Sequence, residues 1–574
     1  MSWQRFLEMI GIAEPETKTE PEAAVAETEA AAGTEAAGEP EMAPAAVEEA
    51  AQEAAEETAG EPAAEPEKEA EAAGESAEEP ESEPAGEEGS DPGTAVLAYF
   101  EKIAAIPHGS GNTKALSDAI AKFAADHGYE CVQDEADNVI ITAPATPGYE
   151  QEPPISLQGH IDMVCASDPD RVIDMEKEAV TIVRDGEWMH AEGTTLGADN
   201  GIAVAMMLAI LGDPSIPHPL LECIFTTGEE VGMCGAEKLD LTSLNSRRLL
   251  NLDSEEEGII CAGCAGGSVL QAHIPAKYKK KKGYLYEVEI SDLTGGHSGM
   301  SIGDGGANAI VLMARMLDEL YEMQPISLVR IEGGDADNAI PRRCCAAFLA
   351  DKLFGEELFS SVLQFTEEYR NTDPNLSWKI TEPGTEGDRT KTGAFGRGGT
   401  RRMLSFLINM PSGVFERIPG DPHKVRTSIN AGVVKTGETG IFVTFMGRSS
   451  INAHLDMMNR RVISLAGLAG GEAEVMYRHP AWEYREESAF RDEVCEIYRE
   501  LFGREAGITV IHAGLECGIL AGKVPGLDCL SIGPDILDVH TTKERLNITS
   551  AGEVYKFVLA ILAARGKGKG PSQR

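Results

Sequence analysis

Residues 157–164 read Leu-Gln-Gly-His-Ile-Asp-Met-Val, the end of an apolar run that begins at Ile155 and stops on His160 and Asp162. In an open α/β sheet, ligand sites form beyond the carboxyl ends of the strands. His160 and Asp162 are two residues apart, so they share one face of an extended chain. The Asp162 carboxylate can then accept the imidazole N–H and aim the ring at a metal. His-x-Asp alone is a weak signal, and its weight depends on what the flanking stretches do.

Outward from this strand the pattern alternates. Helices are predicted over Ala95–Ile106 and Asn112–Gly128, the second stopping on Gly128, and strands over Glu130–Gln133, Val139–Thr142 and Ile155–Leu157. An apolar helix over Gly201–Leu211 and strands over Leu220–Thr226 and Arg248–Leu252 continue the series, which argues for an α/β sheet covered by helices. Near Gly266 the character changes. Val269–Ile274 and Tyr284–Ile290 read as antiparallel strands joined by a solvated hairpin turn that carries Lys277 and Lys279 to Lys282. A helix follows over Ala307–Tyr321. The α/β style resumes with a helix at Phe490–Phe502, strands at Thr509–Ile511 and Asp528–Ile532, and a helix at Ser550–Ala564. The predicted organisation is a catalytic α/β domain (93–266 and 479–566) split by an inserted α+β domain (267–478), with terminal tails at 1–92 and 567–574.

Composition narrows the function classes. The 574-residue chain carries 96 acids against 49 bases, a net charge of −47. Between Met1 and Asp91 there are 28 acids and three bases, so the remainder still carries −22. A nucleic-acid partner is not expected of so acidic a chain. No apolar run reaches the roughly 18 residues needed to span a bilayer, and residues 1–13 lack the parts of a signal peptide. Eleven irregularly spaced cysteines read as reduced thiols, which fits a cytoplasmic protein. Residues 14–92 are almost entirely Ala, Glu, Pro, Gly, Ser and Thr with no aromatic, the composition of a disordered segment.

Four more stretches set polar residues at the ends of elements. Thr194 to Gly201 (TTLGADNG) precedes the apolar helix, where Asp199 or Asn200 reads as a plain N-cap or as a ligand. Thr226 to Gly232 (TTGEEVG) places Glu229 and Glu230 after a strand, either as two solvated acids or as a metal ligand beside a general base. Asp253 follows the strand in NLDSEEEG, with Glu255 to Glu257 reading as surface acids; His540 ends SIGPDILDVH. Together His160, Asp199, Glu230, Asp253 and His540 supply nitrogen and carboxylate donors suited to zinc, manganese or cobalt. Two ions about 3.5–4 Å apart need one bridging carboxylate and two further ligands each. Five residues meet that requirement and leave Glu229 as the base.

These motifs resemble the M20 metallopeptidases, and within them the aminoacyl-histidine dipeptidase branch. The resemblance runs from about Thr94 to Ala564 and rests on LQGHIDMV, TTLGADNGI, TTGEEVGMCGA, NLDSEEEG, CAGG, GGHSG, NAIPR, HAGLECG and SIGPDILDVH. It implies a di-metal peptidase fold whose inserted domain is a lid and dimerisation domain, and so a homodimer. Asp199 would bridge two divalent ions, Zn²⁺ by preference with Co²⁺ or Mn²⁺ as alternatives. His160 and Asp253 would complete one site, and Glu230 and His540 the other. Glu229 would be the general base and Asp162 the carboxylate behind His160. The peptide after Asp199 would be cis. His297 would stabilise the oxyanion, either in its own chain or, as the lid histidine of this family can, in the partner's site, while Asn338 would bind substrate, Arg448 would receive the substrate carboxylate and Gly514 would offer backbone contacts.

The implied activity is hydrolysis of dipeptides, with Xaa-His of the carnosine type preferred and a broader range accepted. Asp rather than Glu at position 253 favours a dipeptidase that engages a free α-amino group. Two rival readings are an amidohydrolase acting on N-acyl amino acids with the same scaffold, and a non-catalytic acidic binding protein.

Overall fold

The computed structural model describes residues 92–565 except 356 and 386. The expectations for the acidic tail, for residues 1–13 and for 567–574 therefore lie outside the described residues. The chain begins with α1 (Pro92–Ala104) and α2 (Lys114–His127), β1 (Glu130–Gln133), β2 (Val139–Ala143), β3 (Ile155–His160), β4 (Ile182–Asp185) and β5 (Trp188–Ala191). Next come α3 (Ala198–Gly212), β6 (Leu221–Thr226), α4 (Cys234–Lys238), β7 (Arg248–Asn251) and β8 (Ile259–Cys264). Helix α2 stops where expected, because Gly128 adopts φ 73° and turns its N–H back onto Ala124 and Ala125. Helix α3 is buried on nearly all sides, as its unbroken apolar sequence requires.

A second series follows: β9 (Gly266–Pro275), β10 (Tyr278–Ser291), α5 (Ala309–Met323), β11 (Ile326–Gly333), β12 (Cys344–Ala350), α6 (Glu357–Tyr369), β13 (Ser377–Thr381), β14 (Arg389–Phe395) and α7 (Arg397–Asn409). It ends with β15 (Gly413–Ile418), β16 (Asp421–Thr436), β17 (Gly440–Ser449), α8 (Asn452–Leu468) and β18 (Glu472–His479). The chain closes with α9 (Ala489–Phe502), β19 (Gly507–Ile511), α10 (Cys517–Lys523), β20 (Asp528–Ser531), β21 (Ile536–Leu537), β22 (Arg545–Asn547) and α11 (Ile548–Ala563).

The first and last series share one eight-stranded mixed sheet of order β1-β2-β6-β3-β7-β20-β8-β19. Its central strands β6, β3, β7 and β20 run parallel, with β3 buried along its whole length. Their carboxyl ends therefore open on the same side. A small sheet, β21-β22-β5-β4, sits beside it. Helices α1, α3, α9 and α11 contribute to the core of this part, around Phe100, Ile202, Val494 and Val558.

The middle series forms a separate ten-stranded antiparallel sheet with its own core. It is built twice on one plan. In chain order β10, α5, β11, β12, α6, β13 lie in space as β13-β10-β12-β11; β9, α7, β16, β17, α8, β18 lie as β18-β9-β17-β16. The two halves meet through β11 and β16, at Gly333 and Val434.

This plan corrects one expectation. Strands β9 and β10 do not form a hairpin pair: β9 pairs with β17 and β18, and β10 with β12, β13 and β14. Lys279 to Lys282 are not a turn but part of β10, in register with Lys391 to Ala394 of β14. Short range made a hairpin look natural; each strand instead finds its partners within its own half.

Candidate active site and metal centre

The expected ligands converge at the open ends of the parallel strands. His160 ends β3, Glu229 and Glu230 follow β6, and Asp253 follows β7 by two residues. Asp199 stands in the first turn of α3, and the peptide bond after it, Asp199–Asn200, is cis. His540 comes from the turn between β21 and β22 and adopts φ 63°, a left-handed conformation costly for a non-glycine residue and common at functional sites. Gly159 is required just before His160: a Cβ there would fall 2.5 Å from the Asn200 side chain and 2.7 Å from Ala203.

Asp199 lies between the two imidazoles. Its Oδ1 is 3.2 Å from His160 Nε2, and its Oδ2 is 3.2 Å from His540 Nε2. His160 Nε2 is also 3.4 Å from Asp253, and His540 Nε2 is 2.9 Å from Glu230 Oε2. Donor atoms of His160, Asp199 and Asp253 all lie within 4.8 Å of one another, as do those of Asp199, Glu230 and His540. The two triplets share Asp199. A third such group joins His160, Glu229 and Glu230, which sets Glu229 at the edge of the same space.

The electrostatics are those of too many acids in a dry place. Burial pushes Glu229 well above the usual carboxylate range and Asp253 up to about 6. Burial opposes charge on His540, but hydrogen bonds to Asp199 and Glu230 outweigh it and hold the ring up to about 11. His160 is raised in the same way by Asp253, Asp162 and Asp199 against its burial. Glu230 Oε1 is buried without a hydrogen-bond partner among the described residues. Buried carboxylates crowded around two imidazoles, one with an orphaned oxygen, form a donor set that divalent cations fit.

The role expected of Asp162 is divided. His160 Nδ1 donates to the main-chain carbonyl of Asp162 at 2.9 Å and stands 3.6 Å from its carboxylate. That carboxylate accepts from Ser110 Oγ at 2.9 Å and from the N–H groups of Glu229 and Glu230 at 3.2 and 3.4 Å. Asp162 therefore holds the Glu229–Glu230 turn as well as the ring. The backbone does leave the helical path at Asp199 and Asn200, but neither side chain caps α3: both Asp199 oxygens face imidazoles, and Asn200 Oδ1 accepts no hydrogen bond among the described residues.

The remaining expected residues form a second group. His297 lies in the turn after β10, and Arg448 near the end of β17; Arg448 Nη2 is 3.3 Å from His297 Nε2. Burial lowers His297 to about 4, with the charges of Arg448 and of His540 in the same chain adding to the effect. Arg448 is buried, which lowers it to about 10, and no carboxylate lies within ion-pair distance of it among the described residues. Asn338 is exposed beside the His297 turn, where its carbonyl accepts the Ser298 N–H at 2.7 Å. Gly514 packs on the ring of His479, whose Cε1 a Cβ would approach to 3.0 Å.

Sequence reasoning passed over four residues here. His479 and His512 face Arg448 closely enough that its charge depresses both, after burial, to about 4 and about 3. Glu516, fully buried, accepts from Gln158 Nε2 and Thr226 Oγ1 at 2.6 Å each. Glu544 accepts backbone N–H groups of the Asp199 loop. Lone acids and histidines leave no pattern in sequence; His512 and Glu516 stood in HAGLECG and Glu544 just after His540, while His479, at the end of β18, stood in none of the motifs.

Comparison with known proteins agrees with this geometry. Residues 156–564 match Peptidase family M20/M25/M40. The chain is 35% identical over 476 residues to the cytosol non-specific dipeptidase of Escherichia coli K12, covering 81% of this chain and 96% of that one. It superposes on the crystal structure of aminoacylhistidine dipeptidase from Vibrio alginolyticus with a TM-score of 0.73 at 33% identity, over 82% of this chain and 96% of that one. With the converging acids and histidines and these two likenesses, the chain belongs to peptidase family M20/M25/M40.

Proposed function

We propose that this chain is a metal-dependent dipeptidase that hydrolyses a broad range of dipeptides, Xaa-His among them. The carrying observation is Asp199 set between His160 and His540, each imidazole also facing a second carboxylate. The family membership and the names of the two relatives support the activity. The Xaa-His preference rests on the relative from Vibrio, and a cytosolic location on the name of the relative from Escherichia coli.

In this reading His160, Asp199 and Asp253 hold one divalent cation, and Asp199, Glu230 and His540 the other, Zn²⁺ fitting the mixed nitrogen and oxygen donors. Two such ions, when bound, would supply Lewis acidity and would lower the pKa of a nearby water toward neutrality. Glu229 takes that water's proton; burial has already raised its affinity for one. Neutral His297 donates an N–H to the carbonyl oxygen as it gains charge, the point where fixed donors count most. Arg448, buried and with no carboxylate within ion-pair distance among the described residues, receives the substrate α-carboxylate. Asn338 and the main chain at Gly514 line the substrate, and Glu229 returns its proton to the leaving amine.

The domain reading follows the two sheets. Residues 93–266 and 479–566 act as the catalytic domain and 267–478 as the lid. Because both halves of the ten-stranded sheet belong to one chain, His297 serves the site of its own chain rather than that of a partner. Homodimerisation then uses a different surface of the same domain, the exposed apolar groove of Phe415, Met457 and Leu468 beside α8. Metal analysis of purified protein together with a dipeptide panel tests the assignment. Two ions per chain with hydrolysis of free dipeptides are expected; hydrolysis confined to N-acyl amino acids would replace it with the deacylase reading.

A further inference from the structure

We propose that Glu544 is a positioning residue for the metal centre, its carboxylate clamping the loop that presents Asp199 to the loop that presents His540. The Oε2 of Glu544 accepts the N–H groups of Leu196 and Gly197 at 2.8 and 3.0 Å. Its Oε1 accepts those of Ala198 and Asp199 at 2.8 and 3.3 Å. Four successive amides thus point at one side chain that is only 2% exposed. A helix start leaves such N–H groups without intrahelical partners, and a neighbouring side chain normally caps them. Asp199 (φ −85°, ψ 103°) and Asn200 (φ −118°, ψ 30°) break the helical path, so these amides lie ahead of the continuous part of α3, and the side chain that satisfies them stands 345 positions beyond Asp199.

The source of that cap gives it its role. Glu544 follows His540 by four residues in a tight turn, its N–H donating to Thr541 O at 3.1 Å while Thr541 Oγ1 donates to Asp538 O at 2.7 Å. The carboxylate therefore joins the backbone of Asp199 to the turn that sets His540. On the other side Asn200 Nδ2 donates to Leu252 O at 2.9 Å, next to Asp253. Asp199 is fixed between these two ties, and both of its oxygens must be aimed. A carboxylate has about four acceptor sites and matches four donors; a Gln amide would turn its NH₂ group toward two of them. Glu544 acts through Asp199 and His540 only, and the proposal rests on their assignment as ligands.

The test titrates metal-free protein with Co²⁺ and Zn²⁺ by calorimetry, records the visible spectrum of the Co²⁺ form, and compares the parent with Glu544→Gln and Glu544→Asp. Outer residues that orient ligands commonly contribute 10- to 100-fold in metal affinity. Glu544→Gln is expected to weaken binding of at least one ion by tenfold or more, to shift the Co²⁺ spectrum, and to lower kcat with KM within twofold of the parent. Glu544→Asp keeps the charge but retracts the oxygens, and should show the same changes to a smaller extent. If Glu544→Gln does not fold, the Glu544→Asp titration decides alone. A variant that melts earlier yet binds both ions with parental affinity and an unchanged Co²⁺ spectrum has lost only a structural cap, and overturns the proposal. A parent chain that binds fewer than two ions overturns instead the ligand assignment beneath it.

Discussion

Nη2 of Arg448 and Nε2 of His297 lie 3.3 Å apart within a single chain. The two residues come from different halves of the duplicated sheet, β17 and the turn after β10, and the β11–β16 junction is what brings those halves together. On the proposed mechanism, one chain supplies both residues to its own site.

Subunit mixing checks this, because Glu229→Ala and His297→Ala each remove one part of the machinery. Co-refolded in equal amounts, the two variants should stay as inactive as either alone. Were His297 to act across a dimer, about half the dimers would be mixed and about a quarter of all sites would recover. Recovery at that level would contradict the single-chain site.

The adjacent acids should separate cleanly. Glu229→Ala is expected to lose about 10²- to 10⁴-fold in kcat, the usual scale of a general base, while keeping two ions per chain. Glu230→Ala, which deletes a partner 2.9 Å from His540, should lose metal along with activity. Metal analysis beside kinetics reads both, and a reversed pattern would reverse the two roles.

Arg448→Met should lower kcat/KM for free dipeptides about tenfold to a hundredfold, the scale of a charge-assisted hydrogen bond of roughly 1.5–3 kcal/mol. No buried carboxylate is left unpaired by the change, so the melting temperature should hold. Dipeptide amides, which lack the carboxylate, should be hydrolysed equally by parent and variant. A uniform loss on both substrates would remove Arg448 from carboxylate recognition.

A chain beginning at Gly89 should retain its specific activity, since residues 1–88 contain no histidine and every proposed ligand lies beyond them. A loss above roughly tenfold, about 1.4 kcal/mol of barrier, would assign the acidic segment a part in turnover.

The convergence of these side chains was legible in the sequence because His160, Glu230 and Asp253 each follow an apolar strand, and the parallel order of those strands carries their ends to one side. The plan of the middle sheet was not. Its two halves share a topology without a visible repeat, and β9 is separated from the rest of its half by all of β10 to β14, so local pattern joined it to β10 instead. The strand character of Lys279 to Lys282 was masked by their charge, which reads as a turn. Glu544 and Glu516 escaped for a different reason: a single buried acid is identified by the donors that surround it, and those come from chain segments hundreds of residues away.

The most direct measurement is an anomalous-scattering map from crystals of the active, metal-loaded protein. The account predicts two peaks flanking Asp199, one against His160 and Asp253 and the other against Glu230 and His540. A fully active crystal with no metal at Asp199, or with its metal held by other residues, would contradict it.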